Sequence, residues 1–149
     1  MKRKAVLAVA VLAAAMVVYA AGSSANASGW TVERYYTAES WNSFADIGGK
    51  GAGPGDVYTS QQTLQTVTGK KAGIVNGYGI NLHKPYVFFH WTAALDGGSL
   101  TLDGAIDLQT PAATYAIEGG TGRYAGVRGT VTLIDAGKNR SLATVRYER

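Results

Sequence analysis

The sequence predicts an all-β domain closed into a single antiparallel eight-stranded barrel, on three observations. Val, Ile, Thr, Tyr and Phe cluster in short segments separated by Gly, Pro, Asn and Asp, the composition of strands joined by turns. Beyond the first 27 residues, no stretch keeps apolar residues at helical spacing for three turns. Eight strand-like segments follow one another, a number at which a closed sheet leaves an interior that side chains fill or one small ligand occupies. Closure also removes the exposed edges that would otherwise pair with other chains.

Trp30 to Tyr36 and Asp56 to Thr66 are the first two segments. Between them, Gly48-Gly49-Lys50-Gly51-Ala52-Gly53-Pro54-Gly55 holds too many glycines for a regular element and reads as a loop. Its Gly-x-Gly spacing is not a nucleotide fingerprint, because a strand rather than a helix follows at Asp56. Asp56 is expected to accept hydrogen bonds from amides of that loop. The third segment, Lys71 to Leu82, carries Gly73, Gly77 and Gly79 on one face. A face so bare either bends the barrel sharply or keeps space open inside it.

Tyr86 to Leu95 and Leu100 to Leu108 flank Asp96-Gly97-Gly98-Ser99, where a two-residue Gly97-Gly98 turn would pair Asp96 with Ser99. Phe89, Trp91, Ala93 and Leu95 then share a face with Leu100, Leu102, Gly104 and Ile106, and this apolar face should point inward. His90, Thr92 and Ala94 share the outer face with Thr101, Asp103 and Ala105. Because Phe88 makes the fourth segment apolar on its outer side as well, cover by another subunit or element is expected there. Ala113 to Glu118, Val127 to Ile134 and Ser141 to Tyr147 complete the set. Between the sixth and seventh, Gly119, Gly120 and Gly122 are expected to take positive φ, with Arg123 to Gly126 as the return.

The N-terminus reads Met1-Lys2-Arg3-Lys4, an apolar run from Ala5 to Ala21, and an Ala25-Asn26-Ala27 ending. This is the pattern of a secretory signal peptide over residues 1–27, cleaved after Ala27, with an uncleaved anchor as the alternative. The expected location is secreted or extracytoplasmic, in a bacterium, with no stable membrane association after cleavage. There is no cysteine, so neither a disulfide nor a cysteine-linked lipid is available. Residues 28–149 then form one domain of ordinary size. Loss of Lys2, Arg3 and Lys4 leaves 11 basic against 10 acidic residues, so the basic balance belongs to the leader. No basic patch interleaved with aromatics remains, and nucleic acid is not an expected partner.

The run Ile117-Glu118-Gly119-Gly120-Thr121-Gly122-Arg123-Tyr124-Ala125-Gly126-Val127-Arg128-Gly129 resembles a glycine-rich signature of the family that joins plant dirigent proteins to allene oxide cyclases. The resemblance continues through Gly55-Asp56, Gly69 to Gly73, the Gly77 to Pro85 stretch with its His83-Lys84-Pro85, and an ungapped match from His90 to Ile106. It implies an antiparallel eight-stranded barrel, commonly a homotrimer, that guides small reactive molecules. Carried over residue by residue, the pocket cysteine of the cyclases falls on Gly79, their pocket tyrosine on Ile106 and their pocket asparagine on Gln62. Their catalytic glutamate corresponds to Glu33 after a one-residue shift. With those replacements, allene oxide cyclase activity itself is not expected.

What remains is a cavity lined by Phe89, Trp91, Leu102 and Ile106, with Gly79 in its wall and Gln62 and Glu33 as polar points. It would suit an apolar ligand with one or two oxygens. In one function class the protein is a cofactor-independent cyclase or isomerase, in which Phe89 and Trp91 shape the substrate, Gln62 binds a carbonyl or hydroxyl, and Glu33 or Arg128 polarises it. Holding reacting groups in register supplies up to about 7–11 kcal/mol without a catalytic triad. In the other, the barrel is a lipocalin-like carrier without turnover. A buried, unpaired carboxylate beside the cavity would favour chemistry, and a purely apolar or filled interior would favour binding.

The remaining polar residues point to no other chemistry. His83 and His90 lack partners at metal-ligand spacing, so no metal is expected. Ser60 and Ser99 have no nucleophile motif. Asp103 and Asp107 are most simply solvated. Arg128 shares a face with Thr130, Thr132 and Ile134; inward it would need Glu33 or Glu118 as a partner, and outward it is a surface charge. The expected partner is a small apolar molecule, with a homo-oligomer, dimer or trimer, as the expected assembly.

Overall fold

The computed structural model describes residues 29–149, so the leader over residues 1–27 lies outside the described residues. Eight strands close into an antiparallel barrel in which each pairs with its chain neighbours and the last with the first. They are β1 (Thr31–Ala45), β2 (Val57–Thr66), β3 (Lys71–Asn81), β4 (Tyr86–Leu95), β5 (Gly98–Asp107), β6 (Ala112–Gly122), β7 (Arg128–Asp135) and β8 (Arg140–Glu148). Every strand predicted from alternation is present. Two are longer than local pattern suggests. β1 continues to Ala45 through a bulge at Ser40, where the exposed Ser40, Asn42 and Ser43 break the apolar alternation, and β6 runs on to Gly122 rather than ending at Glu118.

The glycine-rich signature behaves differently from expectation. Gly119 and Gly120 lie within β6, paired with Thr101 and Leu100 after a bulge at Glu118; of the three glycines expected to take positive φ only Gly122 (φ 57°) does, joined in the return by Gly126 (φ 75°). Gly120 is needed for space instead: an added Cβ would sit 2.6 Å from the carbonyl oxygens of Ser99 and Tyr124 and 2.8 Å from Tyr124 Cβ. That close approach lets the turn after β6 drive Tyr124 into the barrel, where it is fully buried beside Val127. One end of the barrel is thereby stoppered. The loops 46–56, 82–85, 108–111 and 136–139 surround the other end.

The β4–β5 turn is Asp96-Gly97, with Leu95 opposite Gly98, not Gly97-Gly98. Gly97 alone supplies the left-handed residue the turn needs (φ 82°), and its carbonyl accepts the Arg123 amide at 2.8 Å. The slip is two residues, so every side chain keeps its face. Ala93 meets Leu100 and Trp91 meets Leu102 inside, while His90 meets Asp103 outside. Asp103 is not simply solvated, because His90 Nδ1 lies 2.5 Å from its Oδ1 and Tyr78 stacks on the His90 ring.

Asp56 is fully buried and its carboxylate accepts the amides of Ile47 (3.0 Å), Gly48 (3.4 Å) and Gly53 (2.7 Å). These bonds hold its carboxyl below the usual carboxylate range, the Gly53 amide most strongly. The glycines of this loop let its backbone curl around one side chain. The loop is thus a cage for a structural carboxylate, as the sequence reading expects.

Candidate functional site

Inward-facing residues alternate along every strand, and the cross-strand register identifies them. Gly77 lies opposite Trp91, and Gly79 opposite Phe89. The bare face of β3 therefore does point into the barrel. It does not leave a hollow there, because the Trp91 ring covers Gly77 and the Phe89 ring covers Gly79; a Cβ at either glycine would overlap the ring. The two rings stack at 5.4 Å between centroids and 14° between planes. The missing side chains are filled from the neighbouring strand, with flat rings packed onto glycine backbone.

A smaller cavity survives beside this stack. Tyr35, Thr37, Gln62, Leu64, Val75, Trp91, Leu100, Leu102, Tyr115 and Val131 are among its walls. The space open to the centre of a water molecule is about 40 Å³, and about 10–15 Å³ of such space holds one water. Roughly three waters, or one small ring, match that volume. The lining is apolar except for a few groups. Thr37 Oγ1 donates to Gln62 Oε1 at 2.5 Å, which leaves the Gln62 amide nitrogen outside that bond. Trp91 Nε1 is buried without a hydrogen-bond partner. Burial pushes the Tyr115 hydroxyl up to about 12, against a smaller downward pull from the Trp91 indole.

Of the residues expected at the site, Gln62, Trp91 and Leu102 line this cavity. Phe89 and Ile106 pack against the core without lining it, and Gly79 lies under Phe89. Arg128 is exposed on the outer face of β7, opposite Glu148, because it alternates with the inward-facing Gly129 and Val131. It is a surface charge and does not reach Glu33.

Glu33 faces inward from β1, and its carboxylate is the centre of a polar network at the stoppered end. Oε2 accepts from the Tyr35 hydroxyl (2.6 Å) and the Tyr124 hydroxyl (3.0 Å), and Oε1 accepts from the Tyr147 hydroxyl (3.1 Å). Arg123 approaches both oxygens at 3.4 Å and also donates to the Tyr124 hydroxyl. Burial, then the Glu33 contact, pushes the Tyr35 hydroxyl up to about 12, and burial raises Tyr124 and Tyr147 as well. This carboxylate is paired on both oxygens. Tyr35, which both bonds Glu33 and lines the cavity, links the network to the interior.

Sequence reasoning names Glu33 but not its partners Tyr35, Tyr124, Tyr147 and Arg123. The one available signal was the Arg123-Tyr124 pair inside the signature itself. The side chains that could meet a metal do not gather: no group of three His, Asp or Glu residues forms among the described residues.

No protein-family model and no curated protein matches the chain. Solved structures do. A pyocyanin demethylase matches with a TM-score of 0.72 at 22% identity, over 78% of this chain and 99% of that one. An exo-specific intermolecular Diels-Alderase matches at 0.64 and 13% identity, over 79% and 96%. A pterocarpan synthase dirigent protein matches at 0.62 and 17% identity, over 79% and 82%. Dirigent proteins and cyclase barrels are thus its structural neighbours, and the chain has the eight-stranded barrel fold of the allene oxide cyclase and dirigent-like proteins.

Proposed function

We propose that this protein is a secreted cyclase- or isomerase-like barrel that confines an apolar, oxygen-bearing small molecule in a reactive fold. The observation that carries this reading is the interior cavity, whose apolar walls are interrupted only by a few polar groups, Gln62 and Trp91 Nε1 among them. A cavity of that kind binds by shape and orients by a few polar contacts. Catalysis in it comes from confinement, since alignment of reacting groups lowers a barrier without an acid or base. Trp91 and Leu102 shape the substrate and Gln62 orients it. Glu33, saturated by three hydroxyls and Arg123, acts by holding Tyr35 against the cavity rather than by exchanging protons.

The pairing of Glu33 also favours a second reading, a carrier without turnover, because no unpaired carboxylate borders the cavity. Native mass spectrometry of the protein exported by its own host tests both. Retention of an oxygenated apolar molecule supports a small-molecule role, and release of a rearranged product on incubation with its precursor selects the cyclase. Return of the ligand unchanged selects the carrier. An empty, ligand-indifferent protein defeats both. The same spectrum reads the assembly, where a trimer or dimer through the outer Ile80, Phe88 and Tyr78 of β3 and β4 is proposed, and N-terminal sequencing of the exported chain reads cleavage after Ala27.

A further inference from the structure

We infer that Trp91 is a hydrogen-bond donor to the ligand as well as a wall of the cavity, and that the molecule bound there presents a carbonyl-type acceptor oxygen to its indole N–H. This deepens the proposed small-molecule function and rests on it. Trp91 is 7% exposed, lines the cavity and has Nε1 buried without a partner. An indole nitrogen is a donor only, and buried Trp N–H groups are nearly always paired. Its ring cannot turn away to find another partner, because one side lies on Gly77 and it stacks with Phe89. The Tyr115 hydroxyl is near enough to feel the indole, but the pair does not meet hydrogen-bond distance and angle, so Nε1 stays without a partner. A donor held immobile in an apolar wall costs stability until an acceptor arrives, which makes it a selector for oxygen over hydrocarbon.

Gln62 supplies a second donor. Its carbonyl oxygen is engaged by Thr37, so its amide N–H groups are the part left to meet a ligand. Two donors on walls contributed by β2 and β4 suit a ketone, enone or dione better than a purely hydrocarbon guest.

The test uses three labelled indoles and two single-ring probes that match the cavity volume. The chain has three tryptophans, and Trp30→Phe and Trp41→Phe identify the Trp91 indole cross-peak by elimination in ¹⁵N-labelled protein. Cyclohex-2-enone and cyclohexene are titrated in turn. The expected result is a downfield shift of the Trp91 indole proton with the enone alone, saturating at roughly tenfold lower concentration than cyclohexene reaches, with that preference lost in Trp91→Phe. The wild-type shift stands without the variant should Trp91→Phe fail to fold. Equal binding of both probes without the shift overturns the donor role while leaving the cavity function intact. Binding of neither, up to their solubility limits, overturns both.

Discussion

Replacement of Glu33 by Gln should destabilise the barrel measurably at its stoppered end. The carboxylate accepts three tyrosine hydroxyls at 2.6 to 3.1 Å and two Arg123 contacts at 3.4 Å. Hydrogen bonds to a charged acceptor contribute about 1.5–3 kcal/mol each. The amide keeps one acceptor oxygen and turns an NH₂ toward hydroxyls that are themselves donating, so about half of the network is lost. The Arg123 contribution is small, under about 1 kcal/mol, because its side chain is 47% exposed. The expected cost is therefore about 2–4 kcal/mol. For a domain of this size, 1 kcal/mol moves Tm by about 3–5 °C, and a fall on the order of 10 °C should appear in a circular-dichroism melt. Tyr124→Phe, which removes one of the three hydroxyl donors and leaves the charge paired, should cost about 1.5–3 kcal/mol. A Glu33→Gln melt within about 2 °C of the parent would refute the view that this carboxylate is the strap of the closed end.

Gly77→Ala should cost about 3 kcal/mol in urea unfolding, at the upper range for overpacking, because the new methyl meets both the Trp91 ring and the backbone oxygen of His90; a neutral result would mean the ring is not seated on the glycine. Alkaline pH should destabilise the protein progressively between about pH 10 and 12. Tyr35 and Tyr115 rise from 10.0 to about 12 in the folded state, so the stability they contribute is complete below pH 10 and is lost as pH climbs through the folded values; a flat Tm over that window would contradict the burial of these hydroxyls. Asp56 has the opposite sign. Its folded pKa is depressed, so its contribution is present above pH 3.8 and disappears as pH falls through the folded value, and Asp56→Asn should lower Tm at neutral pH while flattening the acid limb of the Tm profile. Arg128→Ala should leave both Tm and ligand retention within error, since the side chain is exposed on the outer face.

Much of this architecture is legible from local pattern. Alternation along Phe89, Trp91, Ala93 and Leu95 and along Leu100, Leu102, Gly104 and Ile106 assigns the inner face of β4 and β5, and a two-residue error in the turn leaves that assignment intact because side chains repeat every second residue. The caged Asp56 is legible for the same reason, since its partners lie within nine residues of it. The site is less so. Gln62, Trp91 and Leu102 are named from sequence and do line the cavity, but Gly79, Phe89 and Ile106 do not, because ring orientation depends on what the neighbouring strand leaves vacant.

The amino-acid order by itself determines an all-β chain of eight segments, their inward faces and the loop that wraps a carboxylate, because each is written in contacts between residues close along the chain or in a period-2 repeat. Tertiary structure alone decides what Glu33 does. Its partners Tyr124 and Tyr147 stand 91 and 114 residues away and meet it only when β8 closes onto β1. Closure likewise selects Arg123 over Arg128 as its cation. A barrel's interior is assembled from residues remote in sequence, so the chemistry of its inside is set when the sheet closes.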